Sequence, residues 1–351
     1  MKTLLVALLL CISITISPNV YSKNTLKVLS WHGYTDQNVV TAFKTKHRID
    51  VEITYINNDR ELRNHIEDSN KQYDVVALNS AELRRYIKLL KVDPINTSKI
   101  SNLKWLSDQF TPLSSNPETS YSSDVYGIPY TFSSMGLIYS KDRVDQPPRT
   151  WRALWSQIYQ NKVLGYDGGT HNVSLAAIAL GLPDPFQIPS QHDKQIAEQL
   201  ITLRENALTF YDSVNEATEL FNKFELSLMF ANYGHQQLNA LRKSGANVGY
   251  IIPDEGALAW VDCWAILADS AHTDLAHLWI DFLLEPWVQR SLIDRHGLQS
   301  SLGQFSQQTS QEKLIWLSPV ESGSKREAMW NAVYSGKSLS TVLKHIERFT
   351  P

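Results

Sequence analysis

EGALAWVDCWAIL, residues 255–267, alternates as a strand does: Leu258, Trp260, Asp262, Trp264 and Ile266 point one way, and Ala259, Val261, Cys263 and Ala265 the other. The second set is small and apolar, so that face is expected to be buried. The first carries one acid between two indoles, and an unpaired carboxylate is costly to bury. A strand that crosses between two lobes removes the conflict, because an acid on it faces the gap rather than a core.

The rest of the chain supplies two lobes. TLKVLSW, IDVEITYI and YDVVALN read as strands separated by the amphipathic stretches VVTAFKTKH and NDRELRNHIEDSN, an alternation that argues for a parallel α/β sheet. After helix AELRRYIKLL and an irregular region from Asp93 to Asp124 comes YGIPYTFSSMGLIYS, extended and without helical period. A second series follows, with strands KVLGYD, LTFYDS, LSLMFAN and NVGYIIP among helices VSLAAIALG, QIAEQLITLREN, ATELFNKFEL and HQQLNALRKSG. Helices are expected from His272 to the end of the chain. Two small sheets wrapped by helices, with crossings near Ile128–Ile138 and Pro253–Ala265, place a ligand cleft between the lobes, where such sites are favoured. Residues 23–131 plus 262–303 are expected to form lobe 1, and 132–261 plus 304–351 lobe 2.

The chain has 351 residues, 43% hydrophobic, a length suited to two domains. Lys+Arg 33 against Asp+Glu 36 gives a formal charge of -3, and no basic block suits nucleic acid. Lys2, an apolar run from Leu4 to Ile16 and the sequence Val20-Tyr21-Ser22 read as a signal peptide, residues 1–22, cleaved after Ser22. An uncleaved anchor is the alternative, although the run is short for a membrane span. Removing the leader takes away Cys11, leaving Cys263 as the single cysteine of an exported protein without an internal disulfide. Cys263 reads as a small core residue.

No catalytic signature stands out: GxSxG, HExxH, GxGxxG after a strand and the P-loop are all missing. Gly168-Gly169-Thr170, between a strand and a helix, reads either as an anion or ligand loop at a helix N-terminus or as a plain left-handed turn. No histidine pairs with Cys or carboxylate at metal-ligand spacing, so no metal or cofactor is expected; His32 and His171 fall on loops at strand ends. What remains is aromatic and acidic. Trp31 and Tyr34 follow the first strand, Phe230 and Tyr233 end LSLMFAN, Trp260 and Asp262 lie on the crossover, and Trp330 is near the C-terminus. Ring faces beside a carboxylate suit an organic ammonium group, through cation–π contact of about 0.5–2 kcal/mol and a charge-assisted hydrogen bond.

LKVLSWHGY, YDVVALNS, VYGIPYTFSSMGLIYS, TWRALWSQIYQNKV, EGALAWVDCWAIL and HLWIDFLLEPWVQRSLIDRHG, in that order, resemble the periplasmic spermidine/putrescine-binding proteins, a family of bacterial extracellular solute-binding proteins. The resemblance covers nearly the whole mature chain. It implies a type II-like periplasmic binding fold with two mixed sheets, a periplasmic monomer, and a polyamine or related amine ligand. It implies either delivery to an inner-membrane ABC permease or, alternatively, reporting to a membrane-bound sensor, for example one controlling cyclic-di-GMP and biofilm. By position, Trp31 and Tyr34 take the role of aromatics flanking the ligand, and Trp260 and Asp262 that of the crossover indole and amine-gripping acid. Phe230 stands where the family has a tryptophan, and Ser80 or Asn79 where it has a hydroxyl or tyrosine.

Departures are as informative. Gly33 replaces a family acid, Gly168 and His171 stand at two further acidic positions with Asp167 beside them, and Trp330 replaces a polar amide. A fully cationic polyamine would then meet few carboxylates, at a large desolvation cost. Asp167 swinging in, carbonyls and ring faces, or a less charged ligand with a carboxylate met by His171 or His32, are the three ways out. A periplasmic enzyme using His171 with Asp167 or Asp262, and a metal or anion receptor, are the competing classes; neither an activated nucleophile nor a ligand cluster supports them.

Overall fold

The computed structural model describes residues 25–56, 59–68, 70–305 and 313–349; the expected leader lies outside them. In the first lobe, Thr25–Trp31 runs parallel to Asp50–Ile56 and to Val75–Asn79. Ala257–Leu267 runs antiparallel to Val75–Asn79 and to Ile128–Ser134, giving a mixed sheet that Gln299–Ser300 extends at one edge. In the second lobe, Val163–Tyr166, Ala207–Tyr211 and Leu228–Phe230 are parallel, while Leu137–Ser140 runs antiparallel to Leu228–Phe230 and to Val248–Ile251. The expected two-lobed α/β fold with two mixed sheets is the one observed.

Strand directions show which edges of the two sheets the connections join. Ile128–Ser134 runs with the parallel strands of the first sheet, so it leaves at their carboxyl edge, and Met135-Gly136 then leads into Leu137–Ser140 at the carboxyl edge of the second sheet. The return obeys the same rule: Val248–Ile251 ends at the carboxyl edge of the second sheet and Ala257–Leu267 begins at that of the first. The two carboxyl edges are therefore joined by short connections, and carboxyl edges are where open α/β sheets hold ligands.

The long strand spans both cores. Ala257 and Leu258 belong to the second lobe's core, Trp264 and Ile266 to that of the first, and Trp260 packs against both. Both of its faces are buried, not one: Val261, Cys263 and Ala265 pack into a further cluster on the opposite side. The sheet is covered on each side, so alternation did not separate core from solvent as it does in a one-sided sheet. The boundaries expected at 131/132 and 261/262 fall inside strands, and a third connection joins the lobes where Leu314–Trp316 pairs with the long strand before Leu317 enters the second core. The expected helical C-terminal region is thus interrupted by two short strands.

Local chemistry sets the element ends. Asn79 closes its strand and caps helix Ser80–Lys88, its side chain accepting from Glu82 N at 2.9 Å. Helix Pro286–His296 starts with Pro286 and stops at Gly297, whose φ of 67° is left-handed. Fully buried aromatics fill both lobes, Trp264 and Trp279 in the first, Trp151 and Trp330 in the second.

Candidate functional site

Asp262 lies opposite Asn79, at the carboxyl edge of the first sheet. Asp262 pairs with Thr131 and Cys263 with Pro129, so the register shift leaves Tyr130 as the extra residue on the neighbouring strand beside Asp262. Tyr34 donates its hydroxyl to Asp262 Oδ2. Tyr130 fixes Tyr34 in turn, donating to the Tyr34 carbonyl at 2.8 Å. Tyr34 and Asp262 are 6% and 7% exposed, so the carboxylate is nearly enclosed yet sits at a sheet edge. Burial, and then the Asp262 charge, push the Tyr34 phenol well above its ordinary value, which keeps it a donor. Trp31 is half-buried, and its Nε1 is buried without a hydrogen-bond partner among the described residues.

The second lobe answers with a different set. Asp167 is exposed; its backbone N–H donates to Tyr211 O at 2.8 Å, and its Oδ1 accepts from Trp330 Nε1 at 2.7 Å. His171 Nδ1 lies 2.7 Å from Asn232 Oδ1, and the ring stacks on Tyr166 at 5.9 Å and 26°. Tyr233 meets Tyr166 edge-on and donates to Asp212 O at 2.6 Å. His171 is pushed down to about 4, chiefly by burial, so it is neutral at physiological pH in the ligand-free chain.

Four expectations change. Ser80 is fully buried and donates to Leu317 O at 3.1 Å, so it fastens helix Ser80–Lys88 to the third connection. Phe230 is 1% exposed and packs edge-on to Trp151, a core residue of the second lobe. Trp330 is equally buried, against Phe210, and reaches the cleft edge only through its N–H on Asp167. At the glycine loop the Thr170 N–H donates to Glu327 Oε1 at 3.2 Å, so a carboxylate of the chain itself occupies the place of an anion. Gly168 is extended at φ -163°, not a left-handed turn, and a Cβ there would lie 2.3 Å from Tyr166 Cε1.

The missing acid at Gly33 has a physical cause as well. Gly33 has φ of +88°, and a Cβ would come within 3.0 Å of His296 Nδ1, whose ring is bonded to Asp36 at 2.8 Å. Tyr166, Tyr211 and Asn232 were not singled out in the sequence. The signal was there: KVLGYD and LTFYDS both end a strand with Tyr-Asp.

Among the described residues no group of three or more His, Cys, Asp or Glu is arranged to hold a metal ion, and no helix is long and apolar enough to cross a membrane. The chain is 25% identical over 282 residues to the putrescine/agmatine-binding protein of Pseudomonas aeruginosa, covering 76% of this chain and 75% of that one. It is 22% identical over 286 residues to a putrescine-binding periplasmic protein of Escherichia coli, with 78% and 76% covered. The solved spermidine/putrescine ABC transporter substrate-binding protein of Streptococcus pneumoniae superposes with a TM-score of 0.71 at 18% identity, over 91% of this chain and 99% of that one. The family model of bacterial extracellular solute-binding proteins matches residues 38–301, three quarters of the chain's length, and the chain belongs to that family.

Proposed function

We propose that this protein is a periplasmic receptor that captures a small organic amine between its lobes and hands it to an inner-membrane ABC permease. The observation that carries the reading is the Tyr34–Asp262 pair: a carboxylate enclosed at a sheet edge, oriented by a phenol that stays protonated, two residues from a tryptophan packed against both lobes. Such a group grips an ammonium by charge-assisted hydrogen bonding while ring faces cover its methylenes, worth about 0.8 kcal/mol per buried CH₂. The amine named for the relatives, putrescine above all, has this chemistry. The protein works as a monomer whose lobes close on the ligand by a hinge.

Titration calorimetry of the mature chain with putrescine, agmatine, spermidine and norspermidine tests the reading. Saturable binding of at least one amine is expected. No heat and no thermal shift with any of them would reject it.

A further inference from the structure

Tyr130 stands where strand Ile128–Ser134 shifts register against the crossover strand, as the extra residue between Pro129 and Thr131. An unpaired bulge residue is released from the ladder, so its side chain can be aimed elsewhere. The bulge is held from its other side. Ser301, fully buried, donates its N–H to Tyr130 O at 3.3 Å and its hydroxyl to Pro129 O at 2.8 Å. The Tyr130 ring is 1% exposed, edge-on to Trp264 at 5.5 Å and tilted against Tyr34 at 5.7 Å. Its hydroxyl donates to Tyr34 O at 2.8 Å, a bond between residues 96 positions apart. Burial pushes the Tyr130 phenol far above its ordinary value, so it stays a donor.

The loop that receives this bond is weakly closed by its own backbone. Tyr34 N meets Trp31 O at 3.4 Å, and Gly33 between them takes φ of +88°. Two tyrosines hold it from outside: Tyr55 donates to Thr35 O at 2.6 Å, and Tyr130 to Tyr34 O. Of the two, Tyr130 comes from the strand that pairs with Asp262. We propose that Tyr130 is a positioning residue for the bound amine: from its bulge it sets the place of Tyr34, and through Tyr34 the orientation in which Asp262 meets an ammonium group. The proposal rests on the receptor reading above, because it takes the Tyr34–Asp262 pair as the grip. Hydrogen bonds weaken steeply as their angles open, so a loop that drifts cannot keep both the phenol and the ligand on one carboxylate.

The test is a double-mutant cycle on the mature chain, with putrescine as the probe in calorimetry and NMR of ¹³Cζ-labelled tyrosine as a second readout. Tyr130→Phe keeps the ring between Trp264 and Tyr34 and removes only the hydroxyl. Putrescine affinity is expected to fall about three- to tenfold, the range a neutral hydrogen bond spans. In a Tyr34→Phe background no phenol remains to be placed, and the same change should cost less than about twofold. In the ligand-free protein Tyr130→Phe should also move the Tyr34 ¹³Cζ resonance, which a general loss of stability would not do. Additive effects on affinity, or an unmoved Tyr34 resonance, overturn the proposal. If Tyr130→Phe does not fold, the hydroxyl proton of Tyr130 in wild type decides: it should exchange with solvent far more slowly than that of the exposed Tyr121, and equal rates overturn the assignment. Absence of wild-type binding to putrescine, agmatine, spermidine and norspermidine overturns the receptor reading instead, while the Tyr34 resonance still tests how Tyr130 places it.

Discussion

Replacing Asp262 by Asn is the sharpest perturbation the structure offers. The change keeps the size of the side chain and leaves an amide oxygen for the Tyr34 hydroxyl, but removes the charge. At an effective dielectric of about 20, unit charges about 4 Å apart attract by roughly 4 kcal/mol before desolvation is subtracted. Hydrogen bonds to charged groups retain about 1.5–3 kcal/mol net. At about 1.4 kcal/mol per decade, amine affinity should therefore fall between roughly tenfold and a hundredfold. Stability should change by less than about 1 kcal/mol, because a buried charge is lost while the oxygen that answers Tyr34 stays. Calorimetry gives the first quantity and urea unfolding the second. Asp262→Ala is the control: it strands the buried Tyr34 hydroxyl and should cost about 1–3 kcal/mol of stability as well. An Asn variant that binds amines as wild type does, or one that unfolds, would refute the assignment of Asp262 to the ligand.

Three further outcomes are expected. Trp330→Phe keeps the ring against Phe210 but frees Asp167, so amine affinity should drop several-fold with about 1 kcal/mol of stability lost; unchanged affinity would remove Asp167 from the site. Gly168→Asp should not restore a family-like acid but should destabilise by about 1–3 kcal/mol, since its Cβ overlaps the Tyr166 ring; a melting temperature equal to wild type would contradict the packing. His171 and His235 are both lowered to about 4 from 6.5, chiefly by burial, so the unfolded chain binds more protons than the folded one between those values. Their contribution is complete above about pH 6.5 and is lost as pH falls toward 4. Urea midpoints measured across that range should fall for wild type and fall less in a His171→Gln/His235→Gln variant; parallel profiles would sink the assignment.

Strand ends are legible in the sequence, and so is which residues stand at them. Trp31 was placed at the end of the first strand, Asp262 on the crossover strand and Asp167 beside the glycine loop; in the structure Trp31 ends its strand, Asp262 lies at the carboxyl edge of the first sheet and Asp167 follows a strand of the second. Tyr34 could be placed after its strand, but its bond to Asp262 spans 228 positions and has no local trace. Phe230 and Trp330 show the reverse: each stands at a site-like position in the chain, and each turns into the second lobe's core, because a large ring gains more from burial than from a wet edge.

The order of strands and helices, the two-lobed plan and the choice of the crossover strand follow from the chain alone, since hydrophobic periodicity and turn residues act over a few positions. Which side of a doubly covered sheet holds a side chain, whether a glycine loop is open or already filled by Glu327, and which side chain His171 meets depend on partners distant in sequence. Those contacts exist only once each lobe has packed, because they join residues far apart in the chain.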